Sequence, residues 1–154
     1  MGMITTKAKY GLKAMVQLAL RYQQKTPLPI SEIAESEGIP AKFLEAILVE
    51  LKNSGLLTSK RGPGGGYMLA RAPERISVAM VLRALDGPLA PVPCVSKEFY
   101  RTCPDCLDER TCTVRPVMKE VRDAIAEVLE NKSLAEMAAW AARRQQDATP
   151  MYYI

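Results

Sequence analysis

A chain of 154 residues has room for one main core and an appendage, since domains commonly run to ~100–150 residues. Hydrophobic residues make up 48% and charged ones 25%, the balance of an ordinary globular protein, and no apolar run approaches the ~20 residues that a membrane span needs. Histidine is absent, which removes the commonest general base and any Ser-His-Asp or Cys-His nucleophile pair, so no enzyme is expected. The charge is uneven. Residues 1–86 carry 12 Lys and Arg against 7 Asp and Glu, whereas residues 87–154 carry 9 against 10. A basic front half suits a polyanionic partner. The N-terminus has no secretory h-region, so a cytoplasmic location is expected. In that reducing compartment the four cysteines, all between Cys94 and Cys112, suit metal binding or redox chemistry better than structural disulfides.

Leu12, Met15, Ala19 and Tyr22 recur at spacings of three and four, predicting a helix over 6–24 that ends before Pro27 and Pro29. A short helix follows, with Ser31 as N-cap and Glu32 in its first turn. Gly38-Ile39-Pro40 makes a tight turn into a helix over 41–53 whose inner stripe is Leu44, Ile47, Leu48 and Leu51. Two helices joined in this way form a helix-turn-helix pattern. Residues 56–59 and 67–70 read as strands flanking the tip Lys60-Arg61-Gly62-Pro63-Gly64-Gly65-Gly66. A basic, glycine-rich hairpin directly after the second helix is the order of a winged helix. Ser77 then caps a helix with Val78, Val81, Leu82 and Leu85 inward, which stops at Gly87-Pro88.

Residues 88–112 hold three more prolines beyond Pro88, four cysteines and little periodicity, an irregular loop. Val114, Met118, Val121, Ile125 and Val128 alternate four and three apart, a heptad-like seam on a long helix. A shorter helix from Ser133 to about Arg144 follows. The fold class is therefore mainly α with a small β-hairpin. It divides into a winged-helix domain (1–87), a cysteine loop (88–112), a dimerisation helix with the short helix after it (113–144), and a tail (145–154) expected to be mobile apart from its last apolar residues.

The major groove of DNA admits one α-helix, which must present its outer face to the base edges. Lys42 and Glu45 occupy that face: Lys42 suits a phosphate or guanine edge, and Glu45 can accept from a cytosine amino group. Lys60 and Arg61 sit at the wing tip, where a narrow minor groove attracts Arg. The competing reading is a solvated face of a protein-interaction winged helix. A nucleotide-binding loop is disfavoured, because the glycine run lacks the Gly-Lys-Ser/Thr ending of a P-loop. Among the cysteines, Cys103 and Cys106 form a CxxC pair, with Cys94 nine residues before and Cys112 six after. Structural zinc sites usually show two close pairs, so zinc fits less well than an iron–sulfur cluster, which accepts looser spacings. Free redox-active thiols, as in a CxxC oxidoreductase or electron carrier, are the alternative from another class.

The stretches TTKAKYGLKAMVQLAL and ISEIAESEGIPAKFLEAILVELKNSGLLTSKRGPGGGYMLARAPERISVAMVLRALDGP resemble the IscR-like (Rrf-two) family of bacterial winged-helix regulators. The Arg-Gly-Pro-Gly-Gly-Gly-Tyr segment is highly specific, and the likeness is strongest over residues 4–88. It implies a homodimer whose long helices cross-pack, with two recognition helices in successive major grooves of a partly palindromic double-stranded operator. Lys42, Glu45 and Arg61 match the family's DNA-contacting positions. The resemblance also implies an iron–sulfur cluster, of the 2Fe-2S or 4Fe-4S type, that senses iron, oxygen, nitric oxide or redox state. Cys94 and Cys112 sit where the first and last cluster cysteines lie, and Cys106 resembles the middle one. The chain departs from the pattern in a longer loop, the extra Cys103, and Arg115 in place of a ligating histidine. The fourth ligand is then Cys103, a carboxylate such as Asp105, Asp108 or Glu109, or a group from the other protomer. The function expected is a DNA-binding repressor under cluster control, or alternatively a cluster-free regulator answering to a partner protein or small molecule.

Overall fold

The computed structural model describes residues 4–148. Among them, six α-helices and one antiparallel hairpin follow in the order α1 (Thr6–Leu20), α2 (Ile30–Glu37), α3 (Ala41–Asn53), β1 (Leu57–Lys60), β2 (Gly66–Leu69), α4 (Val78–Asp86), α5 (Arg115–Glu130) and α6 (Leu134–Ala148).

Thr5 caps α1, its hydroxyl accepting from the amide of Ala8 at 3.0 Å and donating to Asp86 at the end of α4 at 2.5 Å. The helix is shorter than its periodicity predicts. It ends at Leu20, and residues 22–24 tighten into a 3-10 turn that closes on Lys25 in the left-handed region at φ 56°. That reversal delivers the chain to Leu28, which pairs with Tyr67 of β2 through two hydrogen bonds of 2.9 and 3.0 Å. The pairing holds the chain extended through Pro29, so α2 begins at Ile30. Its cap is Pro29, whose carbonyl accepts from Glu32 and Ile33, and Ser31 lies within the first turn rather than capping it.

The turn into α3 uses Gly38 at φ 65°, and α3 spans the residues its pattern predicts. Leu44, Ile47, Leu48 and Leu51 are all fully buried. The hairpin pairs Leu57 with Leu69 and Lys60 with Gly66, so each strand sits one residue nearer the tip than expected. Ser77 caps α4 by accepting from the amide of Met80 at 3.1 Å. Gly11 brings α1 against α4: a Cβ there would stand 2.2 Å from Leu85 Cδ1.

One apolar core collects Met15 and Leu18 of α1, Ile33 of α2, the α3 stripe, Val81 and Leu82 of α4, and Leu134 and Ala138 of α6. α6 thus belongs to the winged-helix core although it follows the cysteine loop in sequence. Backbone bonds from Val78 to the Lys132 carbonyl (2.8 Å) and from Leu134 to the Ile76 carbonyl (2.9 Å) fix its start, and Ser133 caps it. It runs past Arg144 to Ala148, so the first four residues of the expected tail are helical, and the remainder lies outside the described residues. α5 is different. It contains no buried residue. Met118, Val121 and Ile125 of the expected seam are half-buried, while Val114 and Val128, joined by Val117, are more than half exposed. At 100° per residue, Val114, Val117, Val121 and Val128 share a stripe about 60° wide.

Candidate nucleic-acid interface and cysteine loop

α3 is oriented by its buried stripe, and everything opposite that stripe faces outward. Lys42, Glu45, Ala46, Val49, Lys52 and Asn53 are all exposed. Its flank is tied to α1 by Lys7 and Glu50 at 3.2 Å and by Phe43 meeting Tyr10 edge to face, ring centroids 5.7 Å apart. The wing lies beside α3. Between them runs an open cleft of about 580 Å³, lined among others by Glu45, Val49, Lys52, Lys60 and Arg61. The structure therefore gathers three of the four residues singled out in the sequence, Glu45, Lys60 and Arg61, along one cleft, and leaves Lys42 on the same helix face near its N-terminus. Val49 and Lys52, one and two turns beyond Glu45, were not singled out. The spacing that marks Glu45 as outward marks them too.

The angle of the wing depends on Gly66. It has φ 152°, and a Cβ there would stand 2.2 Å from the Leu28 carbonyl oxygen. A side chain at this position would push β2 off the Leu28 segment and so off α2.

The cysteine loop is irregular, as expected, apart from 3-10 turns at Pro93–Val95 and Glu109–Thr111. Cys94 is buried, and Cys103, Cys106 and Cys112 are half-buried with no disulfide among them. The Cys103–Cys106 pair closes a turn, the amide of Cys106 donating to the Cys103 carbonyl at 3.1 Å. Hydrogen bonding toward Cys94 raises the Cys103 pKa, with partial desolvation and neighbouring negative charge adding to the effect. Partial desolvation, followed by the Cys112 charge, raises that of Cys106. Hydrogen bonding to Glu109 raises the Tyr100 hydroxyl, and Arg110 holds Asp108 below the usual carboxylate range. Among the described residues, no three Cys, Asp, Glu or His side chains stand close enough, as placed, to hold a metal ion. The donor chemistry nonetheless fits a thiophilic group, with four soft sulfurs on one short loop. A second observation fits as well: Arg115 Nε is buried without a hydrogen-bond partner. An unpaired buried cationic donor calls for an anion, such as the residual charge of a thiolate-bound group.

Two arginines of α5 hold this loop. Arg115 donates to the Cys94 carbonyl at 3.3 Å and Arg122 to the Val95 carbonyl at 2.8 Å. Arg83 of α4 joins Glu130 of α5 at 2.6 Å and Glu98 of the loop at 3.4 Å. Arg115 is thus a clamp on the backbone of Cys94.

A helix-turn-helix followed by a wing with a basic tip defines the winged-helix class of DNA-binding fold. The chain belongs to the Rrf2 family, described as iron-dependent transcriptional regulators, whose profile matches residues 4–139. An rrf2-like HTH-type regulator of Rhodobacter capsulatus is 42% identical, over 89% of this chain and 93% of its own. CymR of Bacillus subtilis is 31% identical over 98% of this chain and 99% of its own. IscR of Pectobacterium carotovorum is 33% identical over 87% of this chain and 77% of its own. Among solved structures, CymR, the global cysteine regulator of B. subtilis, superposes with TM-score 0.75 at 32% identity, covering 91% of this chain and 98% of that one. T. potens IscR superposes with TM-score 0.72 at 31% identity, covering 92% and 90%. These relatives are transcriptional regulators, and among the described residues no helix is long and apolar enough to cross a membrane.

Proposed function

We propose that the protein is a cytoplasmic, homodimeric repressor that binds a partly palindromic duplex operator and is governed by an iron–sulfur cluster on its cysteine loop. The cleft between α3 and the wing, with Glu45, Lys52, Lys60 and Arg61 along it, is the observation that carries the DNA-binding part. α3 enters the major groove with Lys42 and Glu45 toward base edges, and Lys60 and Arg61 reach the flanking minor groove or phosphates. The exposed valine stripe of α5 meets its two-fold copy, because a palindromic site needs two reading heads. Cys94, Cys106 and Cys112, completed by Cys103, would hold the cluster, which supplies sensitivity to oxidants and iron supply when bound. Arg115 and Arg122 pass any displacement of Cys94 and Val95 to α5, and Arg83 passes it to α4.

A cluster-free regulator is the second reading. CymR matches this chain over nearly its whole length, and a cavity of about 380 Å³ lined by Ile4, Leu82, Leu89, Ile125 and Leu129 is of a size for a small effector. Anaerobic purification, with visible absorbance, iron and sulfide content and gel shifts on enriched duplex DNA, separates the two. Iron–sulfur absorbance that disappears in Cys94→Ser, Cys106→Ser and Cys112→Ser is expected. Colourless protein that still binds DNA would leave the second reading standing.

A further inference from the structure

Recognition faces are ordinarily polar where they meet bases, and the outer face of α3 is apolar midway along its length, between Lys42 toward the N-terminal end and Asn53 at the C-terminal end. Taking 100° per residue, Lys42, Ala46, Val49 and Asn53 form the centre of the face opposite Leu44, Ile47, Leu48 and Leu51. Glu45 and Lys52 lie toward the wing side, and Glu50 lies on the other side, paired with Lys7. The middle of the reading surface is therefore the Ala46–Val49 pair, both exposed, with Val49 at 42%. Neither side chain can donate or accept a hydrogen bond. Neither is needed by the core, which α3 fills from its other side.

We infer that Ala46 and Val49 read the C5 methyl groups of thymines in the major groove. This rests on the DNA-binding reading of the same face. The thymine methyl is the one apolar group that base edges present there, and small aliphatic side chains are its natural contacts. The two residues are separated by ~4.5 Å along the helix and ~60° around it, close to the ~3.4 Å step between stacked base pairs. The surrounding side chains choose DNA over a protein partner. Lys42, Lys52, Lys60 and Arg61 frame the apolar pair with positive charge, which suits phosphates on both sides of a groove. Specificity at these base pairs then comes from shape and burial, with Glu45 supplying the neighbouring hydrogen-bonded contact.

The test uses the full-length chain to enrich sites from random duplex DNA. Each thymine of the enriched half-site is then replaced in turn by 2′-deoxyuridine, which lacks only the C5 methyl. Affinity should fall about three- to fivefold at one or two positions per half-site, the worth of one buried carbon group. The loss should be the same at low and high salt, because the contact carries no charge. In A46S/V49S, altered only on the exposed face, the preference for thymine over uracil at those positions should vanish while the salt dependence stays. Equal affinity for every thymine and uracil duplex overturns the inference and leaves DNA binding intact. A preference that survives in A46S/V49S also overturns it, since the methyl would then be read elsewhere. If no sequence is enriched, the DNA-binding reading falls with it.

Discussion

Arg61 stands exposed at the wing tip, so its removal tests binding separately from folding. Arg61→Ala should weaken operator binding by about 1–3 kcal/mol if the side chain reads a groove, as measured by gel-shift titration with thermal melting unchanged. Gly66 is the opposite case. Gly66→Ala puts a methyl into the Leu28 carbonyl, so the hairpin must shift, and both stability and DNA affinity should fall together. The thiols add a test by pH. With pKa values raised in the fold, Cys103 and Cys106 carry less thiolate near neutrality than ordinary cysteines. In metal-free protein they should alkylate more slowly than in the urea-denatured chain at pH 8, and the difference should shrink as pH rises. Equal rates would mean that the fold does not raise these two thiols in solution.

Elements were legible where one periodicity dominated. α3 could be placed from Leu44, Ile47, Leu48 and Leu51 because its burial depends on a single face. The start of α2 was not legible, because Ser31 looks like a cap locally while the true boundary is set by the Leu28–Tyr67 pairing, a contact between residues far apart in sequence. The seam of α5 was legible in part. A heptad pattern marks which residues are apolar, but it cannot show that Met118 and Ile125 turn half inward while Val117 joins the exposed stripe. Nor could it reveal that Arg115 and Arg122 grip the loop through backbone carbonyls, since any residue type offers the same acceptor. The exposed valines allow a clean test. Val117→Asp should leave the monomer fold intact, because Val117 is 54% exposed, yet it should bury an unpaired charge in a paired α5 face and so yield monomers by light scattering. A wild-type protein that is already monomeric at micromolar concentration would sink the paired-helix arrangement.

Over the whole molecule, charge and core divide the chain differently. The net positive charge lies in residues 1–86, so DNA affinity should drop steeply with salt, by a slope of about −0.9 per phosphate neutralised, and Lys52→Ala should lower that slope by about one if Lys52 contacts a phosphate. The core crosses that boundary. Leu134 is fully buried beneath α1, so Leu134→Ala should cost about 2–5 kcal/mol in urea unfolding although it lies far in sequence from the DNA-reading face.

The return of α6 to the side of α1 has a genetic consequence. In many two-part regulators a premature stop after the first part leaves a free DNA-reading fragment that still occupies its sites or interferes with the intact protein. Here a stop anywhere between residues 88 and 132 deletes Leu134 and Ala138 from the core and strips the backbone partners of Val78 and Ile76. Such alleles should behave as simple recessive nulls, their products cleared as unfolded chain, and deregulation without dominance in a strain carrying both copies is the signature to look for.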